Sequence, residues 1–271
     1  MTTINDYKNI FFIGVAGTGM SAIAQYLQGI GKNVSGSDRY FTPDTPNDTR
    51  TKLEAEGIQC FLQDGSGINE QTDLVVVSTA IEDTVFEVKK AKGLNIPSLR
   101  RSQVLALIAE SRKTIAVGGT SGKSTTSAMI FDILQHAGLE PSIISGAGLT
   151  SIIREGKIGN AKVGNGEWLV IEADESDGSI VQYKPEIGLL LNIDKDHQEI
   201  DELMSIFGTF RDNTKGIFIT NRSNKLAAQL SMSAENDFAA DLSHKAGYIA
   251  KDFVQNGFQI QFSVNGQLVT M

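Results

Sequence analysis

The residues best suited to chemistry lie in Gly118-Gly119-Thr120-Ser121-Gly122-Lys123-Ser124. Backbone N–H groups of such a loop can cradle phosphates, Lys123 can reach the terminal ones, and Ser124 can ligate Mg2+. Residues 114–117 read as a strand and residues 123–136 as a helix, the context a phosphate-binding loop requires. The general pattern wants its first glycine at position 117, which is valine, so the loop is one residue short. A chance Gly-Lys-Ser-Thr at a helix start is the competing reading.

A second glycine-rich turn, Gly14-Val15-Ala16-Gly17-Thr18-Gly19, follows a strand and opens a helix. Glycines there allow a tight turn and let backbone amides approach a pyrophosphate at the helix N-terminus. The dinucleotide fingerprint expects glycine at position 16, where this chain has Ala16. Asp38 ends the next strand, about 20 residues on, where an acid would meet a ribose hydroxyl. A purely structural turn is the alternative.

Two polar segments complete the candidate chemistry. Glu172-Ala173-Asp174-Glu175-Ser176-Asp177 places four carboxylates in six residues just past an apolar strand. Like charges that close repel unless they are solvated or face a cation. An acid at a neighbouring strand end is where a phosphate loop needs its metal anchor. A solvated acidic loop is the bland reading. His197, in Asn192-Ile193-Asp194-Lys195-Asp196-His197, also follows a buried-strand pattern. His136 and His244 have no such neighbours and read as structural. Met20 reads as packing, and Arg100-Arg101 either as surface charge or as facing a substrate anion.

The elements that position these residues follow from periodicity. Residues 9–14, 33–37 and 74–78 read as strands, with helices over 19–30, 85–92 and 103–109. A second series has strands at 114–117, 142–145, 168–172, 187–192 and 216–220, with helices at 123–136 and 199–210. Strands alternating with helices indicate a parallel, doubly wound α/β sheet, with the glycine turns at its carboxyl edge. Asn265-Gly266 between two alternating segments, 258–264 and 267–270, signals a hairpin. The domain boundary falls near residues 108–113.

Composition narrows the class. With 41% hydrophobic and 21% charged residues, 271 residues suit a soluble chain of two domains. A net charge of −8 argues against nucleic acid as the main partner. No apolar run is long enough to cross a bilayer and no secretory signal is visible, so no membrane partner is expected. Cys60 is the only cysteine, which rules out an internal disulfide and fits a cytoplasmic location.

Together these segments resemble the Mur ligase family. The resemblance rests on residues 12–21, on Val34-Ser35-Gly36-Ser37-Asp38 and Pro97-Ser98-Leu99-Arg100-Arg101, on residues 119–126, and on 172–177 and 192–197. The family's phosphate loop has the same shortened form. The resemblance implies a Rossmann-like domain over residues 1–110 that binds a UDP-linked substrate. A P-loop ATPase-like α/β central domain would span 111–271, incomplete and without the family's C-terminal ligase domain. It implies ATP-dependent amide ligation in peptidoglycan synthesis, through an acyl phosphate, with UDP-N-acetylmuramate and L-alanine as substrates and ATP and Mg2+ as cofactors. Gly14, Ala16, Gly17, Thr18, Gly19, Met20, Ser37 and Asp38 would bind the UDP part. Gly119, Thr120, Ser121, Gly122, Lys123, Ser124, Thr125 and Asn192 would hold ATP. Ser124, Glu172 and His197 would serve metal, and Lys123, Glu172 and His197 would carry catalysis.

Ser121 stands where the alanine-adding branch usually has histidine, while Gly19-Met20-Ser21 favours that branch. The alternatives are a ligase that recycles muropeptides, a non-catalytic nucleotide-binding module, and an NAD-dependent oxidoreductase that leaves Lys123 unexplained. A monomer or weak homodimer, with little turnover by this length of chain, completes the expectation.

Overall fold

A computed structural model of the chain describes residues 2–78, 81–82, 84–176, 178–195 and 199–271. Two compact units emerge: Met1–Lys113 with Ser127–Glu172, and Thr114–Thr126 with Ala173–Met271.

The first unit begins with β1 (Asn9–Ile13), α1 (Thr18–Gly29), β2 (Asn33–Asp38), α2 (Asp48–Ala55) and β3 (Gln59–Leu62). It continues through β4 (Leu74–Val77), α3 (Phe86–Gly93), β5 (Ser98–Arg100) and α4 (Arg101–Glu110). These strands form one parallel sheet in the order β3-β2-β1-β4-β5. Ile10, Phe11, Phe12 and Ile13 are all buried, as expected of a parallel strand covered on both faces. Phe11, Ile13 and Val75 pack with Val88 and Ala91 of α3, and each buried aliphatic or aromatic side chain there contributes about 1.5–3 kcal/mol.

The chain then forms β6 (Lys113–Gly118), α5 (Lys123–His136), β7 (Ser142–Ile144), α6 (Thr150–Ile153), β8 (Ala161–Lys162) and β9 (Trp168–Glu172). Within the first unit, β7 pairs with β9 in parallel and with β8 antiparallel. Phe131 of α5 packs with Ile143, Leu149, Ile152 and Val170. Residues Met20 to Leu27 of α1 are buried without interruption, which marks a helix covered all round.

The remaining elements are β10 (Ile187–Leu190), α7 (Ile200–Asn213), β11 (Ile217–Thr220), β12 (Phe238–Ala239), β13 (Tyr248–Asn256), β14 (Gln259–Val264) and β15 (Gln267–Thr270). In the second unit β10 lies parallel between β6 and β11. Leu203, Phe207 and Phe210 form the buried stripe of α7, and Phe210 meets Phe218 of β11 edge-on at 5.8 Å. Asp201 and Glu202 in the first turn and Arg211 in the last complement the helix dipole. Asn265 and Gly266 both take positive φ, 49° and 84°, closing the expected two-residue hairpin between β14 and β15.

Candidate functional site

The glycine turn between β1 and α1 closes on β2. Gly14 and Val15 donate their N–H groups to the Ser37 carbonyl at 2.8 and 3.0 Å. One Asp38 oxygen accepts the Ala16 N–H and the other the Tyr40 N–H, both at 3.0 Å. Its carboxylate, only 5% exposed, therefore braces the turn. Gly14, Ala16, Gly17 and Asp38 line a cavity of about 230 Å3 with Arg39 and Tyr40. Thr18 is exposed beside the turn. The Met20 and Ser37 side chains are buried in the core instead.

Gly19 packs closely against Arg101. A methyl group built there would stand 2.9 Å from Arg101 Nη1 and 3.0 Å from its Cδ. Arg101 thus crosses the first turn of α1, where a guanidinium and helix N–H groups together favour an anion. Arg39 lies over the Tyr40 ring at 4.8 Å and donates to its hydroxyl at 2.7 Å. Neither Arg39 nor Tyr40 carried a local sequence signal; they reach the cavity because they follow the end of β2. A larger cavity, about 330 Å3, opens at the opposite, amino edge of the sheet. Carboxamides of Asn9, Gln28, Asn33 and Gln59 line it, with no ionisable side chain.

The phosphate-type loop leaves β6 and enters α5. Gly122 takes φ +82°, a left-handed conformation that strains any residue with a Cβ. Asn192, just past β10, clasps the loop from the side. Its Oδ1 accepts from Thr120 Oγ1 and from the Ser121 N–H, both at 2.9 Å. Its Nδ2 donates to the Ser121 carbonyl at 3.0 Å. Gly119 is buried against Leu191 and Asn192, whereas Ser121 and Thr125 are exposed and Ser124 half-buried. Asn192 therefore shapes the loop.

Lys123 Nζ donates to the Gly119 carbonyl and to Glu175 Oε2, both at 2.8 Å. Only 16% of the lysine side chain and 8% of the glutamate side chain are exposed. The family resemblance marks Glu172 in this acidic run, and nothing local singles out Glu175. Asp174 accepts the Ser176 N–H at 3.1 Å in a local turn. Glu172, in the first unit, has one oxygen held by Ser145 Oγ at 2.5 Å and by the Gly146 N–H at 2.8 Å. Asp177 and His197 lie outside the described residues. Among the described residues, no three His, Cys, Asp or Glu side chains form a metal-ligand cluster, and no helix is long and apolar enough to cross a membrane.

Cys60 and Glu87 are among the groups whose proton affinity the fold shifts. Burial pushes the half-buried Cys60 thiol up to about 12, which keeps it protonated and weakly nucleophilic near neutral pH. Burial also raises the Glu87 carboxyl, with Ser37, Gln63 and the Gly65 backbone opposing.

The Mur ligase family catalytic-domain model matches residues 9–113, and the Mur ligase middle-domain model matches residues 117–270. The UDP-N-acetylmuramate–L-alanine ligase of Syntrophomonas wolfei is 39% identical over 208 residues, covering 75% of this chain and 43% of that protein. The enzyme of that name from Geotalea uraniireducens is 35% identical over 262 residues, covering 94% and 55%. The chain thus spans about half the length of the curated relatives it matches. The crystal structure of UDP-N-acetylmuramate-alanine ligase from Thermotoga maritima superposes with a TM-score of 0.80 at 26% identity, covering 97% of this chain and 60% of that one. A murein peptide ligase from Psychrobacter arcticus shares the fold, at 0.79 and 23% identity over 97% of this chain and 60% of that one.

Proposed function

This chain belongs to the Mur ligase family, and from that premise we propose that it works in joining L-alanine to UDP-N-acetylmuramate at the expense of ATP. In this reading residues 1–110 take the UDP-linked sugar at the glycine turn and residues 111–271 take ATP. The observation that carries the proposal is Lys123. Its ammonium stands at the mouth of a loop folded around Asn192, tied to Gly119 and Glu175.

The chemistry asks for such a group. The muramoyl carboxylate attacks the γ-phosphorus of ATP, ADP leaves, and an acyl phosphate results. The amine of alanine then attacks the acyl carbon, phosphate departs, and an amide forms as the amine loses its proton. The first step brings two anions together, so Lys123 offsets their charge as it redistributes. Loop N–H groups at the start of α5 hold the phosphates, and Asn192 keeps Thr120 and Ser121 in place.

The oxygen donors Ser124 and Glu172 suit a hard cation, and Ser145 and Gly146 orient the carboxylate. Each is assigned as a Mg2+ ligand within its own unit, and His197 to a second metal position. Bound Mg2+ would supply charge neutralisation and polarisation of phosphoryl oxygens. A cytoplasmic setting suits the use of ATP and the free thiol of Cys60.

Calorimetric titration with UDP-N-acetylmuramate, then with Mg2+ and a non-hydrolysable ATP analogue, tests the reading. Both ligands should bind, and Lys123→Ala should lose the analogue while keeping the UDP-sugar. Saturation of the glycine turn by NADH, without binding of the UDP-sugar, would sink it.

A further inference from the structure

One buried asparagine links the glycine turn to a carboxylate far along the chain. Asn160 is 1% exposed and directly precedes β8. Its carboxamide can donate two hydrogen bonds and accept two, and three of the four are made within the protein. Nδ2 donates to the Thr18 carbonyl at 2.8 Å and to Ser21 Oγ at 3.0 Å, both on the first turn of α1. Oδ1 accepts from Gln25 Nε2 at 2.8 Å. Ser21 and Gln25 are themselves buried.

The main chain of Asn160 meets Ser145, and Ser145 in turn holds Glu172. The Asn160 backbone carbonyl accepts the Ser145 N–H at 2.9 Å. Ser145, 3% exposed, donates its hydroxyl to Glu172 Oε1 at 2.5 Å and accepts the Ala147 N–H at 3.1 Å. Gly146 adds a second donor to the same carboxylate oxygen at 2.8 Å. An unbroken path therefore runs from Thr18 through Asn160 and Ser145 to Glu172, all within the first unit.

We propose that Asn160 is a positioning residue that couples the glycine turn to Glu172, so that occupancy of the UDP-sugar site tunes the carboxylate assigned to the metal. This rests on the ligase reading above. A pyrophosphate drawn to the N-terminal turn of α1 shifts the Thr18 carbonyl and Ser21. Asn160 follows because its carboxamide is buried and bonded to both. Its main-chain carbonyl then carries the Ser145 amide, and with it the hydroxyl that orients Glu172. Simple core packing would need no donor chain ending on a carboxylate.

The test is ligand coupling. UDP-N-acetylmuramate is titrated with and without saturating Mg2+ and a non-hydrolysable ATP analogue, for wild type, Asn160→Asp and Ser145→Ala. Asn160→Asp removes both carboxamide donors; Ser145→Ala, a smaller change, removes only the hydroxyl on Glu172. Thermal unfolding identifies which variants are folded. In wild type each ligand should tighten the other about tenfold, and each folded variant should reduce that factor below about twofold. Undiminished coupling in folded Ser145→Ala overturns the proposal, as does a wild type that binds both ligands independently. A wild type that binds neither ligand overturns the ligase reading itself, and this inference with it.

Discussion

Replacing Glu175 by glutamine should tighten nucleotide binding, because Lys123 must leave this partner to meet a phosphate. The ammonium is 2.8 Å from Glu175 Oε2, and both side chains are largely buried. An exposed pair would be worth about 0–1 kcal/mol, whereas a charge-assisted hydrogen bond away from solvent contributes about 1.5–3 kcal/mol. Glutamine keeps the shape and accepts a hydrogen bond from the still-charged ammonium, but loses the carboxylate's charge, at a cost of about 1–2 kcal/mol. A loss of about 1.4 kcal/mol corresponds to about tenfold in affinity. Calorimetry with Mg2+ and a non-hydrolysable ATP analogue should show Glu175→Gln binding about tenfold more tightly than wild type. Without ligand the same variant should melt about 2–4 °C lower, since Lys123 has lost its counter-charge. Binding that is unchanged or weaker would refute the reasoning and make Glu175 a ligand of the nucleotide or its metal rather than a competitor.

Three further expectations concern other parts of the molecule. Asn192→Ala removes the clasp on Thr120 and Ser121; at about 0.5–1.5 kcal/mol per hydrogen bond, affinity for the ATP analogue should fall about tenfold or more in calorimetry while the UDP-sugar is unaffected. Glu87 is fully buried and its carboxyl is raised by burial, so the folded state holds the proton more tightly than the unfolded chain does. That contribution is full below the unfolded pKa and is lost as pH rises through the folded one. Melting curves across pH should therefore show Glu87→Gln above wild type by a few degrees at neutral pH, converging below about pH 4. Cys60, with its thiol near 12, should react with a thiol-specific dye at pH 8 at least about 100-fold more slowly in the native protein than in urea; equal rates would show the site to be open.

Much of the architecture was legible in short windows of sequence. The apolar run of β1, the alternation around Asn265-Gly266 and the strand–loop–helix setting of Lys123 each depend on near neighbours and on backbone φ that glycine and asparagine permit. Elements with weaker local patterning were missed. Gln59–Leu62 does not alternate, and Tyr248–Asn256 carries an irregularity between Lys251 and Val254 with Asp252 at φ +59°.

Pairing was the other matter that local pattern could not decide. Four carboxylates stand within residues 172–177, and composition cannot tell which one reaches the lysine at 123. Asn160 meets Thr18 across 142 positions of chain, where no periodicity links them. Asp38 stands where a ribose-binding acid is expected, and that each of its oxygens also accepts one amide, from Ala16 and from Tyr40, only the packed turn shows. Local preferences travel with the residue, so the sequence alone determined the loops and most of the strands. Hydrogen-bond partners are chosen by ångström-scale distances that exist only after the sheets have packed, and those only the tertiary structure decided.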